Sequence, residues 1–212
     1  MGKTLQKMGR MSRREGAPLS TSNKALKVMQ RRPYGPGVHG PAAARGGMGG
    51  GSRMSAYGRQ LREKQKAKRL YGIMERQFRN YFEKSIRIKG NTAEILPRFL
   101  EMRLDNVVFR LGFAKTRPQA RQMVSHCQFS INGETVNIPS YQVRVNDVIA
   151  IRENKKAKAV FNDLEERMKN HTVPGWLFMD LSKREGKVVS QPEGEDLKEV
   201  YDPKLIVEFY SR

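Results

Sequence analysis

The first ninety residues hold 22 Lys and Arg against four Asp and Glu, a net charge of +18. No other feature of the chain limits its fold as sharply. A large field of one sign repels copies of itself and attracts polyanions. Nucleic acid is the usual polyanion, because each phosphate neutralised by Lys or Arg releases a condensed counterion. The bias fades along the chain: residues 91–160 carry +5 and residues 161–212 carry −3, for +20 over all 212 residues. An anionic membrane is the rival partner, but it calls for a basic amphipathic helix with a continuous greasy face. Nucleic acid is therefore the favoured reading.

Hydrophobic residues make up 38% of the chain, below the roughly 45–50% of an ordinary globular domain. A core is expected, beside segments that stay solvated or lie on a partner. No apolar run approaches the ~18 residues of a membrane span. Gln6 stands where a myristoylation signal has a small hydroxyl residue, and no signal-peptide core follows. One cysteine, Cys127, forbids an internal disulfide and fits a reducing compartment. The expectation is a soluble intracellular protein of one large or two small domains.

Along the basic half, residues 8–15 read as a short helix or arm carrying Arg10, Arg13 and Arg14. Residues 33–52, with eight Gly and three Pro, support neither helix nor sheet. They form either a plain loop or an extended arm along phosphates, flanked by Arg45 and Arg53. Residues 59–71 look helical, with Arg62, Lys66 and Arg69 on one face and Lys64 and Lys68 in a second basic row. Only Glu63 offers that helix a compensating charge, so it is expected to be more stable against a polyanion than in water. Met74, Phe78, Tyr81 and Phe82 follow as the apolar stripe of a second helix, with Arg76, Arg79 and Arg87 off it.

The most legible segment is 100–152. Leu104, Val107, Val108 and Leu111 are spaced as one helical face, and Gly112 is placed to end it. Thr116, Pro118 and Gln119 match a capping box for a second helix, whose apolar positions are Ala120, Met123, Val124 and Cys127. Phe129 and Ile131 alternate toward Asn132-Gly133, a hairpin signal, with Val136 and Ile138 returning. Val143, Val145 and then Val148, Ile149 and Ile151 predict a further strand pair. Arg103 with Arg110, and Arg117 with Arg121, share faces away from the apolar stripes, an arrangement suited to folded RNA read by shape and phosphate.

Beyond residue 160 a short amphipathic helix is expected, then strands at 176–179 and 187–189, and a β-rich run at 205–210. The acidic residues Glu193, Glu195, Asp196, Glu199 and Asp202 suit packing on the basic half or meeting a basic protein. Pro97 conflicts with an otherwise helical stretch at 92–101, and predicts a kink or a helix start later than Thr92. Phosphate-loop and dinucleotide signatures are missing. Cys127, His39, His126 and His171 are too scattered for zinc, and no acid/base pair stands out. No metal, cofactor or catalytic residue is assigned.

Two blocks of sequence carry a specific likeness. Arg103-Leu104-Asp105-Asn106-Val107-Val108-Phe109-Arg110-Leu111-Gly112, then Thr116-Arg117, Ala120-Arg121-Gln122, Ile131-Asn132-Gly133 and Pro139-Ser140-Tyr141, resemble the RNA-binding domain named after small-subunit ribosomal protein four. That domain also occurs in RNA-modifying enzymes, which would need a catalytic domain besides. The flanks Ser12-Arg13-Arg14-Glu15-Gly16, Tyr57-Gly58-Arg59-Gln60-Leu61-Arg62-Glu63-Lys64-Gln65-Lys66, Glu75-Arg76-Gln77-Phe78-Arg79-Asn80-Tyr81 and Val207-Glu208-Phe209-Tyr210-Ser211 resemble the bacterial or organellar ribosomal protein family itself.

The resemblance implies an α+β chain: a helical N-terminal domain completed by the C-terminal segment, with an inserted helix-turn-helix plus small β-sheet RNA-binding domain. Its parts would be a basic arm and loop (1–56), a helical rRNA-binding part (57–92), the inserted domain (93–158) and a C-terminal segment packing back (159–212). It implies a non-enzymatic constituent of the small ribosomal subunit that binds small-subunit rRNA early, nucleates the 5′ domain and supports translational accuracy. Neighbours would be mRNA near its entrance and ribosomal proteins three and five, in the cytoplasm or an organelle, with no membrane. Arg13, Arg14, Arg59, Arg62, Lys64, Lys66, Arg69, Arg76, Arg79, Arg103, Arg117 and Arg121 would serve rRNA, and Arg45 and Arg53 the mRNA path. Many family members hold zinc on an N-terminal cysteine cluster, which this chain lacks.

Overall fold

A computed structural model of the chain describes residues 7–41, 54–169 and 171–212. The chain divides into two compact units, Met1–Leu96 with Lys198–Arg212, and Pro97–Leu197.

In the first unit, α1 (Met8–Glu15) stops at Gly16, whose φ of 67° lets the Ala17 N–H turn back to the Ser12 carbonyl at 3.2 Å. Helix α2 (Asn23–Arg31) lies against it, where the absent Cβ of Gly9 leaves room for Val28. Helix α3 (Ala56–Leu70) starts at Ser55, whose Oγ accepts the Gly58 N–H at 3.1 Å. Its inward stripe is Gln60, Lys64, Ala67 and Leu70, so two polar residues occupy positions of core spacing. Helix α4 (Glu75–Arg87) buries Phe78, Tyr81, Phe82 and Ser85. Met74, expected on that stripe, instead precedes the helix and is exposed. Helix α5 (Thr92–Glu101) begins at Thr92 with Pro97 inside it, so the later start expected from the proline does not occur. Asn91 sets that start: its Oδ1 accepts the Ala93 N–H at 3.1 Å.

The second unit pairs α6 (Leu104–Arg110) with α7 (Arg117–Ser125) over an antiparallel sheet. Thr116 caps α7 by accepting the Gln119 N–H, and Gln119 Oε1 reaches back one residue further than a capping box does, to the Lys115 N–H. The strands are β1 (Phe129–Ile131), β2 (Glu134–Thr135), β3 (Val148–Ile151), β4 (Leu177–Asp180) and β5 (Glu185–Val188), in the order β2-β1-β3-β5-β4. Asn132 and Gly133 both have positive φ, 50° and 89°, the tight turn that an Asn-Gly pair makes between strands. Leu104, Val107, Val108, Leu111, Phe129, Ile149, Trp176 and Val188 are among the core side chains.

Several expectations are corrected. The short helix expected beyond residue 160 is α8 (Leu164–Lys169), whereas residues 205–210 are not a strand but lie in α9 (Pro203–Tyr210), started by Asp202, whose carboxylate accepts the Lys204 N–H at 2.9 Å, and by Pro203 in the first turn. Apolar side chains at short spacing fit either period, and the cap decides. Val143 joins no strand, its N–H going to the Met102 carbonyl, and Val136 and Ile138 lie beyond the two-residue β2. Cys127 is half-buried at φ 53° just after α7, outside the core. The segment 159–212 does not act as one piece. Residues up to Leu197 belong to the second unit, where β5 pairs with β3, and only Lys198–Arg212 joins the first. Gly186 fits the pairing locally: a Cβ there would stand 2.4 Å from Leu111 Cδ1, so any larger residue would make the buried Leu111 side chain at the end of α6 shift.

Candidate nucleic-acid interface

Each unit gathers its cations around a few carboxylates. In the first, Glu15 is buried at the end of α1, and its Oε1 accepts from Arg62, at 3.4 Å, and from Arg69. Glu75 accepts from Lys64 at 2.7 Å, Lys68 at 2.8 Å and the Tyr210 hydroxyl at 2.8 Å. Burial alone pushes the Glu75 carboxyl up, but these three donors outweigh it and bring its pKa down to about 2. Burial, and then the Glu75 carboxylate, push the Tyr210 phenol well above its ordinary value. Lys64 is buried, with its ammonium 4.7 Å from the Phe209 ring centroid. It is thus a support for α9 rather than an exposed RNA contact. Lys66 pairs with Glu63 at 2.6 Å.

The remaining expected contacts of this unit face outward. Arg14, Arg59, Arg76 and Arg79 are exposed, Arg79 pairing with Glu83 one turn on at 3.1 Å. Arg13 donates to the Tyr34 and Gly35 carbonyls, at 2.9 and 3.2 Å, and lies over the Tyr34 ring, pinning the turn that leaves α2. Lys7, Arg10, Arg14 and Arg69 line a cleft of about 600 Å³ closed by Met11, Pro36 and Gly37. Lys7 and Arg10 are absent from the expected set. Their spacing with Arg14, three and then four residues along one helix face, is the signal that would have found them. Arg45 and Arg53 lie outside the described residues.

In the second unit, the end of α5 and the start of α6 supply the carboxylates. Asp105 accepts from Arg103 at 3.0 and 2.6 Å and from Arg121 at 3.2 Å. Glu101, fully buried, accepts from Asn106 at 2.8 Å and from two nitrogens of Arg110 at 3.0 and 3.1 Å. Arg117 donates from Nε to Asn106 Oδ1 at 2.8 Å, stands 3.9 Å from Glu101 and lies 4.8 Å over the Phe109 ring. Arg110, Arg117 and Arg121 keep part of their side chains at the surface. Arg103 does not. At 0% exposure it is a core residue, and its assignment to RNA is withdrawn. No cluster of three or more His, Cys, Asp or Glu able to hold a metal occurs among the described residues. No described helix is long and apolar enough to cross a membrane.

Two helices with partly exposed guanidiniums, laid on a small antiparallel sheet, define an RNA-binding module of the S4-domain class. Residues 102–149 match the model described as S4 domain, and residues 3–101 match the one described as Ribosomal protein S4/S9 N-terminal domain. Small ribosomal subunit protein uS4 of Roseiflexus castenholzii is 44% identical over 214 residues, covering 100% of both chains. Its counterpart from Heliobacterium modesticaldum is 46% identical over 207 residues, covering 96% of each. That from Polynucleobacter asymbioticus is 45% identical over 214 residues, again covering both chains fully. The chain belongs to the uS4 family of small-subunit ribosomal proteins. Within that family its role is structural, with ribosomal RNA as the ligand.

Proposed function

We propose that this chain is a primary binder of small-subunit rRNA that grips a helical junction of the 5′ domain and nucleates its assembly. It then stays in the cytoplasmic particle near the mRNA entrance, beside ribosomal proteins three and five, and supports accurate decoding without catalysing a reaction. The observation that carries the reading is the pair Arg117 and Arg121, one turn apart on α7, each with part of its side chain at the surface and anchored from behind, Arg117 by Asn106 and Arg121 by Asp105. Arg14, Arg59, Arg76 and Arg79 extend the contact on the helical unit, and Arg62, Lys66 and Arg69 add a partly neutralised face. Arg45 and Arg53 are assigned to the mRNA path.

The test is binding of the full chain to a transcript of the rRNA 5′ domain as salt is varied. Log affinity is expected to fall by roughly 0.7–0.9 per phosphate contacted for each unit of log salt. Arg117→Ala with Arg121→Ala is expected to weaken binding and flatten that slope while the chain stays folded. An unchanged slope removes α7 from the interface.

A further inference from the structure

We infer that Glu101, with Asp105 and Asn106, is a positioning residue of the RNA face: an acid that raises affinity for a polyanion. The inference rests on the reading of α7 as an RNA contact. Arg117 is held from three sides, by the Asn106 amide oxygen, the Glu101 carboxylate and the Phe109 ring. Asn106 is itself fixed, its Nδ2 donating to both the Glu101 side chain, at 2.8 Å, and the Glu101 carbonyl, at 2.9 Å. Glu101 also takes the Arg110 fork through both of its oxygens. Arg121 shares Asp105 with the buried Arg103. Two carboxylates, both buried, thus hold four guanidiniums, three of which reach the surface.

A free arginine carries much rotamer freedom, which a ligand must remove before it gains a contact. Here folding has removed that freedom already, so RNA meets guanidiniums in fixed poses. Simple charge counting says the reverse. Deleting an acid makes a basic protein more basic and should tighten RNA binding through the long-range field. The two accounts therefore predict opposite signs for one substitution.

The experiment measures affinity of the full chain for the 5′-domain transcript in Glu101→Gln, which keeps the size but loses the charge and turns one of the two accepting oxygens into a donor. Glu134→Gln, on the exposed β2, serves as the charge control. Glu101→Gln is expected to bind about tenfold more weakly with a shallower salt slope, as looser arginines must be ordered by the RNA, whereas Glu134→Gln binds equally or more tightly. A folded Glu101→Gln chain that binds as well as the parent, or better, overturns the inference. NMR of the unsubstituted chain decides the matter even where the variant does not fold. Without RNA, the Arg117 Nε–H should already give a sharp, slowly exchanging resonance, and one that orders only on adding RNA overturns it too. If Arg117→Ala with Arg121→Ala leaves affinity unchanged, the RNA reading of α7 itself fails. If that pair weakens binding and Glu101→Gln does not, only the positioning role fails.

Discussion

The two units solve the same electrostatic problem at different distances along the chain. In the helical unit one carboxylate comes from afar: Glu15 meets Arg62 and Arg69 across 47 and 54 residues, and although Lys64 and Lys68 stand within 11 and 7 residues of Glu75, Tyr210 reaches it across 135. In the sheet-bearing unit the carboxylates are neighbours, Asp105 two residues from Arg103 and Glu101 nine from Arg110. The basic face of the second unit therefore assembles from three consecutive elements, the end of α5 with α6 and α7. That of the first exists only once α1, α3, α4 and α9 have closed on one another. Contacts between distant residues cost more loop-closure entropy, so the helical unit should be the more sensitive of the two to anything that weakens its closure.

The sharpest break comes from Asp105→Ala. It removes the carboxylate that takes two bonds from the buried Arg103 guanidinium and is expected to cost about 3–5 kcal/mol, the usual penalty for removing one member of a buried ion pair. Trp176, the single tryptophan and part of that core, reports it by fluorescence during chemical denaturation. Next, Glu15→Ala removes the acceptor shared by Arg62 and Arg69 and is expected to cost about 1–3 kcal/mol. The loss should show in the far-ultraviolet dichroism of the helices while Trp176 is unmoved. A Trp176 transition that shifts equally would show that the units do not unfold separately.

Acid gives a smaller, graded effect. The folded pKa of Glu75, about 2, lies below its ordinary 4.5, so its contribution is fully present above about pH 4.5 and is lost as pH falls toward 2. Thermal midpoints should therefore drop across that window and drop less in Glu75→Gln, because the carboxylate that Lys64, Lys68 and Tyr210 stabilise is gone. The smallest effect belongs to Arg79→Ala. Its ion pair with Glu83 is open to solvent, and stability should change by less than about 0.5 kcal/mol. Yet the salt slope of RNA binding should fall by roughly 0.7–0.9 if Arg79 meets a phosphate. A large loss of stability with an unchanged slope would reverse the roles assigned to it.

Local signals were readable from the residues because they act within one or two turns. The Thr116–Gln119 box, the Asn132-Gly133 turn and the 3.6-residue stripes of α6 and α7 all appear where the spacing puts them. The Asp202-Pro203 start of α9 was equally local, but the β-branched residues Ile206 and Val207 masked it. The pairing of β5 with β3 left no trace beyond a small residue at 186, because a strand's partner is chosen by what packs on its face. Among the expected RNA contacts, exposure was misread at Arg103 and Lys64. For Lys64 the carboxylate arrives from another helix; for Arg103 it stands two residues on, at Asp105, and what the residues alone do not show is that the whole pair is buried.

The sequence by itself determined the class of partner, the helix pair, its cap and its hairpin, since net charge and short-range periodicity need no third dimension. Only the tertiary structure decided which cations remain for RNA. That choice depends on where Glu15, Glu75, Glu101 and Asp105 come to rest, and Coulombic pairing is fixed by distance in space rather than by order along the chain.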